Sequence, residues 1–252
     1  MKRRDSSWFP GASFTDEVPQ GHIKRSGVVL RRWISPEGDA TLYLFLRGTG
    51  PLTVYAPGAT RGRIRFGGGI EPLTWANFNL YRGTKHFYLT SAEVKEDFWP
   101  LRDDPEKIAK LIDWDGLLCR HLAPGLPCDE VLALYYWSGV QLKSGVHPMV
   151  AEWRFLWKWL HNWGLAPSTE DCVKCGAPLT SARLSLYGFL CPSCSPSAEG
   201  ASLSDSDMKS LRLSLSTPVS ALAGLFHSDR FTAGPPWQEV NTRLRHYFDS
   251  LN

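Results

Sequence analysis

The chain has 252 residues, 43% of them apolar and eleven of them tryptophan, which is enough for sizeable cores in one large domain or two ordinary ones. No run of 18 apolar residues occurs, so no membrane-spanning helix is expected. The basic N-terminus MKRRDSSWFPGASFTDE lacks the apolar stretch of a secretory signal, so the expected location is the cytoplasm. The net charge of +3 is unevenly spread: residues 1–90 carry 13 Lys and Arg against 6 Asp and Glu, and residues 91–252 carry 15 against 19. A basic segment ahead of a mildly acidic one points to a polyanionic partner for the first.

In chain order, residues 1–21 are polar, contain Gly and Pro, show no period, and read as a flexible lead. From His22 the texture changes to short runs rich in Val, Leu, Tyr, Phe and Thr: SGVVLRRWI (26–34), ATLYLFLRG (40–48), PLTVYAPG (51–58), LTWANFNLYRG (73–83) and KHFYLTSAEV (85–94). Each is bounded by Gly, Pro or Asp, and RGTGP and RGTK suit hairpin turns. Five such strands predict a small barrel or sandwich over 22–98. Helical periods follow at 103–122, 129–145 and 147–164, the first opening on acidic residues and a proline, with Asp103 or Asp104 as N-cap. Gly145 and Gly164 end the other two. Three more helices are expected after the cysteines, at 206–216, 218–227 and 235–252, with a Ser-rich loop at 195–206. The expected boundary lies between Val94 and Asp103, giving a helical domain over 99–252.

The segment CVKCGAPLTSARLSLYGFLCPSC holds Cys172, Cys175, Cys191 and Cys194 as two Cys-x-x-Cys pairs fifteen residues apart. In a reducing compartment this spacing reads as metal ligation rather than disulfides. Four thiolates make a closed tetrahedral zinc site, whereas catalytic zinc keeps a position for water. The expected role is therefore structural. An iron–sulfur cluster is the alternative metal group, though nothing else in the sequence suggests redox chemistry. A zinc ribbon touching nucleic acid would rely on Lys174, Arg183, Tyr187 and Phe189, a thin set. Cys119 and Cys128 read as plain buried residues.

The stretch YAPGATRGRIRFGGGIEPLT (55–74) alternates Arg61, Arg63 and Arg65 among glycines, so an extended chain would aim all three to one side, and glycine lets the backbone approach phosphates closely. Arg31 and Arg32 end the first strand, and Lys24, Arg25, Arg47, Arg82 and Lys85 add to the field. Phosphate neutralisation by such groups, with bases stacking on Trp33, Tyr43 or Phe66, would bind nucleic acid without sequence preference. A solvated surface loop is the plainer reading of the same residues. Further on, VAEWRFLWKWLHNW is apolar nearly all round, which suits a central core helix; Arg154 and Lys158, four apart, would suit an acidic-hydrophobic peptide docking alongside. The seven histidines are scattered, no phosphate loop or nucleophile elbow occurs, and no catalytic residues are assigned.

The run GVVLRR…GDATLYLFLRGTGPLTVYAPGATRGRIRFGGGIEPLTWANFNLY, followed by helices and CVKCG…GFLCPSC, resembles the bacterial recombination-mediator family RecO in its zinc-bearing branch, over about residues 22–250. The resemblance implies an α+β multidomain protein: an N-terminal OB-fold β-barrel, then an α-helical domain carrying a four-cysteine zinc knuckle. It also implies a non-enzymatic protein of DNA repair and recombination that binds single- and double-stranded DNA and anneals complementary strands. The implied partners are RecR and the C-terminal tail of single-stranded-DNA-binding protein, in loading RecA for gap repair. The family's basic loop maps onto Arg61, Arg63 and Arg65, with Arg31 and Arg32 on the matching first strand; Arg154 and Lys158 are the residues assigned to partner binding. Pro57 and Thr60 stand where the family often has basic residues. An RNA-binding OB and zinc-ribbon protein of translation or transcription is the alternative class.

Overall fold

The computed structural model describes residues 19–61, 65–185, 188–195 and 202–251, so all but the last three residues of the expected lead lie outside the described residues. The chain forms two compact units, Met1–Arg102 with Leu111–Leu132, and Asp103–Lys110 with Ala133–Asn252. The units do not follow chain order: a boundary at 98/99 would assign Leu111–Leu132 to the helices, whereas this segment goes with the strands.

Five strands, β1 (Gly21–Ile34), β2 (Ala40–Leu46), β3 (Gly50–Ala56), β4 (Trp75–Arg82) and β5 (Phe87–Glu96), close into a barrel in the order β1-β2-β3-β5-β4. Every pairing is antiparallel except β3 with β5, the closure of an OB-fold barrel. The alternation expected of half-buried strands is sharpest in β4. Ala76, Phe78 and Leu80 point into the core, and Trp75, Asn77, Asn79 and Tyr81 point out. They meet Val29, Leu42, Leu44, Leu52, Val54, Phe87 and Leu89 inside the barrel.

The long β1 changes partner midway, pairing with β4 over Gly21–Val28 and with β2 over Gly27–Ile34. Where both partners meet it, a Cβ on Gly27 would lie 2.1 Å from the Phe45 carbonyl oxygen, so only glycine lets the strand coil through the closure. Strand β2 is buried on both faces. Its outward residues Tyr43 and Phe45 are buried as well; Tyr43 lies near Cys119 on the second half of α1 (Pro105–His121), in the same unit, whose buried face is Leu111, Trp114, Leu117 and Leu118. The expected N-cap of this helix is present, with Asp104 Oδ1 accepting from the Lys107 N–H at 3.2 Å.

Helices α2 (Asp129–Lys143) and α3 (Pro148–Asn162) follow, and Gly145 and Gly164 adopt φ of +88° and +73° at their C-terminal ends. A small sheet comes next, β6 (Ala182–Ser185) between β7 (Gly188–Leu190) and β8 (Ser202–Leu203). Strand β8 falls inside the stretch expected to be a Ser-rich loop, whose residues 196–201 lie outside the described residues. The three final helices appear as expected: α4 (Asp205–Ser216), α5 (Val219–Phe226) and α6 (Pro235–Asp249).

Helix α3 is the centre of the second unit and packs against α4 and α6. Trp153 and Trp159 are fully buried, and Trp159 meets Phe155 and Phe248 with ring centroids 5.5 and 4.8 Å away. The tryptophan-rich helix is thus core, because α4, α6 and the small sheet leave little of it in solvent. Glu152, also buried on α3, receives Lys110 from α1 and Arg245 from α6.

Candidate nucleic-acid surface and metal centre

The four cysteines converge. Their sulfurs all lie within 4.8 Å of one another, with Cys175 Sγ 3.8 Å from Cys191 Sγ. Two tight turns bring this about. The Gly176 N–H donates to the Cys172 carbonyl at 2.8 Å with Gly176 at φ +70°, and the Cys194 N–H donates to the Cys191 carbonyl at 3.0 Å. The Val173 N–H reaches the Phe189 carbonyl at 2.9 Å and ties the first knuckle to β7. The Cys191 N–H points at Cys172 Sγ at 3.4 Å, and this donor pulls the Cys172 thiol down to about 6. Hydrogen bonding among the neighbouring sulfurs, Cys175 first, pushes Cys194 up to about 12. Four thiolates this close repel one another, and a soft divalent cation is the group that lets all four ionise together.

The knuckle rests on the helical core. Phe189 meets Trp153 edge-on at 6.4 Å, and Arg212 donates to the carbonyl oxygens of Thr169 and Leu179, holding the segment that leads into the first knuckle. Of the residues through which a ribbon would touch nucleic acid, Phe189 is fully buried and Tyr187 lies outside the described residues.

The basic residues of the barrel separate into two kinds. Arg61 is exposed on the loop leaving β3, where its Nη2 pairs with Asp39 Oδ2 at 3.0 Å and its Nε donates to the Glu37 carbonyl. Arg65 donates to the Pro57 carbonyl at 3.0 Å and lies over the Phe66 ring at 5.0 Å. Arg63 lies outside the described residues. The residues on either side of it form turns and bends that lead into a 3-10 turn at Gly67–Ile70, where the sequence suggested an extended run. The second kind is held by the fold. Arg32 is half-buried against Glu71, and Arg31 reaches the Cys119 thiol on α1 within the same unit, where burial pushes that thiol up. Both lie inside β1 rather than at its end, next to a bulge between Val29 and Arg31.

The aromatic assignments shift. Tyr43 and Phe66, expected as stacking rings, are buried at 4% and 6%, while Trp33 is exposed. A different set points outward, exposed except for the half-buried Tyr55. In register across β1, β4, β5 and β3 stand His22, Tyr81, Tyr88 and Tyr55, with His86 beside the last two. This row was missed because each ring comes from a different strand; alternation shows which way a residue faces, but the pairing register is needed to align the four.

On α3, Arg154 is 2% exposed, and its Nε and Nη1 meet no acceptor among the described residues; burial lowers it to about 10. Lys158, one turn on, is half-buried and lowered by burial and then by the Arg154 charge. The structure thus brings the two cations together but places Arg154 in the interior, not on the surface the sequence suggested.

A family model described as "Recombination protein O C terminal" matches residues 117–233. The chain is 33% identical over 178 residues to the DNA repair protein RecO of Desulforudis audaxviator, covering 66% of this chain and 68% of the relative. It is 31% identical over 181 residues to that of Anaeromyxobacter sp. (strain K), covering 69% and 71%. It is 25% identical over 206 residues to that of Acetivibrio thermocellus, covering 80% and 82%.

Proposed function

Because the chain belongs to the RecO family of DNA repair proteins, we propose that it is a non-enzymatic recombination mediator. It binds single- and double-stranded DNA, anneals complementary strands, and helps load recombinase onto single strands coated by single-stranded-DNA-binding protein in gap repair. The observation that carries this reading is the pair of arginines, Arg61 and Arg65, on the loop leaving β3 of an OB barrel. Two phosphate backbones approaching one another repel, and guanidinium groups on the loop leaving β3 offset that repulsion while releasing counterions. Arg63, between them in sequence, belongs to the same set. Arg31 and Arg32 add to the positive field behind it.

The cysteine quartet holds one structural zinc. Its four sulfur donors suit that ion, and the knuckle's seat on Phe189 and Trp153 explains a scaffold role. RecR and the C-terminal tail of single-stranded-DNA-binding protein are the protein partners. Lys158 draws the acidic tail, with the buried Arg154 charge behind it. The protein works in the cytoplasm, on the nucleoid; no helix of the described residues is long and apolar enough to cross a membrane.

The test is annealing of two complementary oligonucleotides coated with single-stranded-DNA-binding protein, comparing the native chain with the Arg61→Ala/Arg63→Ala/Arg65→Ala variant. The native chain should accelerate annealing, and the variant should lose the acceleration while retaining its metal. An inactive native chain, or an unimpaired variant, overturns the reading. RNA of the same sequence as a competitor separates this function from RNA binding, which predicts a preference for the 2′-hydroxyl strand.

A further inference from the structure

We infer that the outward row His22–Tyr81–Tyr88–Tyr55 is a stacking platform for unpaired bases, and that it makes the barrel distinguish single strands from duplex. The inference rests on the DNA-binding reading and adds to it a second site, made of rings instead of charges. The four residues are cross-strand neighbours: His22 pairs with Tyr81, Tyr81 with Tyr88, and Tyr88 with Tyr55. Neighbouring strands lie about 4.8 Å apart, so the row spans about 14 Å, room for two or three splayed nucleotides. Tyr81 and Tyr88 are 43% and 36% exposed and stand directly opposite each other across β4 and β5. His22 meets Tyr81 edge-on at 5.3 Å, and Tyr55 meets His86 edge-on at 5.0 Å, so each of these tyrosines has a neighbour that steadies it.

The charges around the row select the occupant. The β4–β5 turn carries the exposed Lys85, and the loop beyond Tyr55 carries Arg65, bonded to the Pro57 carbonyl two residues past that tyrosine, and Arg61. Lys24 occupies the next outward row, paired with Asn79. Of the carboxylates near the row, Glu93 is a further row away in the line Ser26–Asn77–Glu93, where Lys95 and Lys24 engage it; Glu96 is one row beyond, opposite Trp75, and Asp39, near the Tyr55 end, is paired with Arg61. An apolar peptide would gain little from this rim, and an acidic one would find few backbone donors on a closed barrel. A strand of nucleotides satisfies both parts: its phosphates meet the cations, and its bases cover the rings. Only unpaired bases can do so, because a duplex hides their faces in its own stack.

The experiment measures binding of the full-length chain to a 15-residue deoxythymidine oligonucleotide, to a 15-residue abasic strand with the same phosphates, and to a 15-base-pair duplex, all at one salt concentration. The variants are Tyr81→Ala/Tyr88→Ala and Tyr81→Phe/Tyr88→Phe. Aromatic–base stacking is worth roughly fivefold per base at its weak end, so the alanine pair should weaken thymidine binding by about 30-fold. Abasic and duplex binding should stay within about twofold, which also reports an intact barrel, and the phenylalanine pair should bind like the native chain. The inference fails if the native chain binds thymidine and abasic strands equally, or if the alanine pair keeps its thymidine affinity. It fails too if the alanine pair loses all three ligands alike. If the native chain binds none of them, the DNA-binding reading itself falls, and this one with it.

Discussion

Glu152 is the sharpest place to test the helical unit, because its side chain is only 2% exposed and two cations converge on it, Lys110 Nζ at 2.6 Å and the Arg245 guanidinium. The bonds tie the start of α1 and the length of α6 to the centre of α3. Glu152→Gln keeps the volume and removes the charge. Breaking a buried ion pair from one side costs about 3–5 kcal/mol. Here Lys110 and Arg245 retain 24% and 26% exposure, so water reaches both after the change, and the lower end applies, about 3 kcal/mol. At about 2–4 °C per kcal/mol for a protein of this size, the midpoint should fall by roughly 6–12 °C. Urea denaturation followed by tryptophan fluorescence reads the effect directly. A cycle with Lys110→Met should show a coupling of at least about 1 kcal/mol. Added salt should leave the native network largely intact, since the carboxylate is out of reach of screening. A Gln variant within about 1 kcal/mol of the native chain would refute the claim that these charges hold α1, α3 and α6 together.

Two further outcomes are expected. Tyr43 is buried and its hydroxyl has no acceptor among the described residues, so Tyr43→Phe should stabilise the chain by about 1 kcal/mol at pH 7 in urea denaturation. Burial first, and the Cys119 charge second, raise the folded phenol above its unfolded value of about 10, so stability is whole below that pH and declines above it. The native chain should therefore lose stability relative to Tyr43→Phe between about pH 10 and 11, and parallel curves would sink the argument. Cys175→Ser, at the exposed member of the quartet, should cut bound metal well below about one per chain and lower the unfolding midpoint, while duplex affinity stays within about twofold; a matching loss of DNA binding would make the knuckle part of the DNA site.

The barrel and its five strands were legible because each run carries its own evidence: Ala76, Phe78 and Leu80 alternate with Asn77 and Asn79 whatever surrounds them. The cysteine quartet was legible for the same reason, since two short turns fix each pair and the pairs need only meet. What the sequence could not show was which neighbour covers a given face. Tyr43 has the alternation of an outward residue, yet it is buried, near Cys119 on the half of α1 that belongs to the barrel unit, so a stacking candidate became core. Arg154 has the spacing of a surface cation, but α3 is packed nearly all round, so its guanidinium is interior. The aromatic row depends on the registers of three strand pairs at once, which no local pattern encodes.

The same distinction ranks the arginines. Arg61 pairs with Asp39 at 3.0 Å, but their side chains are 58% and 43% exposed, and an ion pair in that setting is worth roughly 0–1 kcal/mol. A phosphate can therefore take over the Arg61 guanidinium at little cost, and the pairing stores the side chain near the loop rather than disabling it. Arg65 is held by one carbonyl and one ring face, both weak competitors for its charge. Arg32 differs, because its partner Glu71 follows directly on the 3-10 turn and the pair is half-buried; pulling it out would leave the carboxylate without its cation in a partly desolvated place. Arg31 is engaged under α1. On the proposed DNA-binding function, phosphate contact would fall to the loop that leaves β3, with the arginines within β1 shaping the potential around it. If the loop arginines grip phosphates as proposed, such a barrel could exchange one strand for another, because those groups are the ones least committed to the fold.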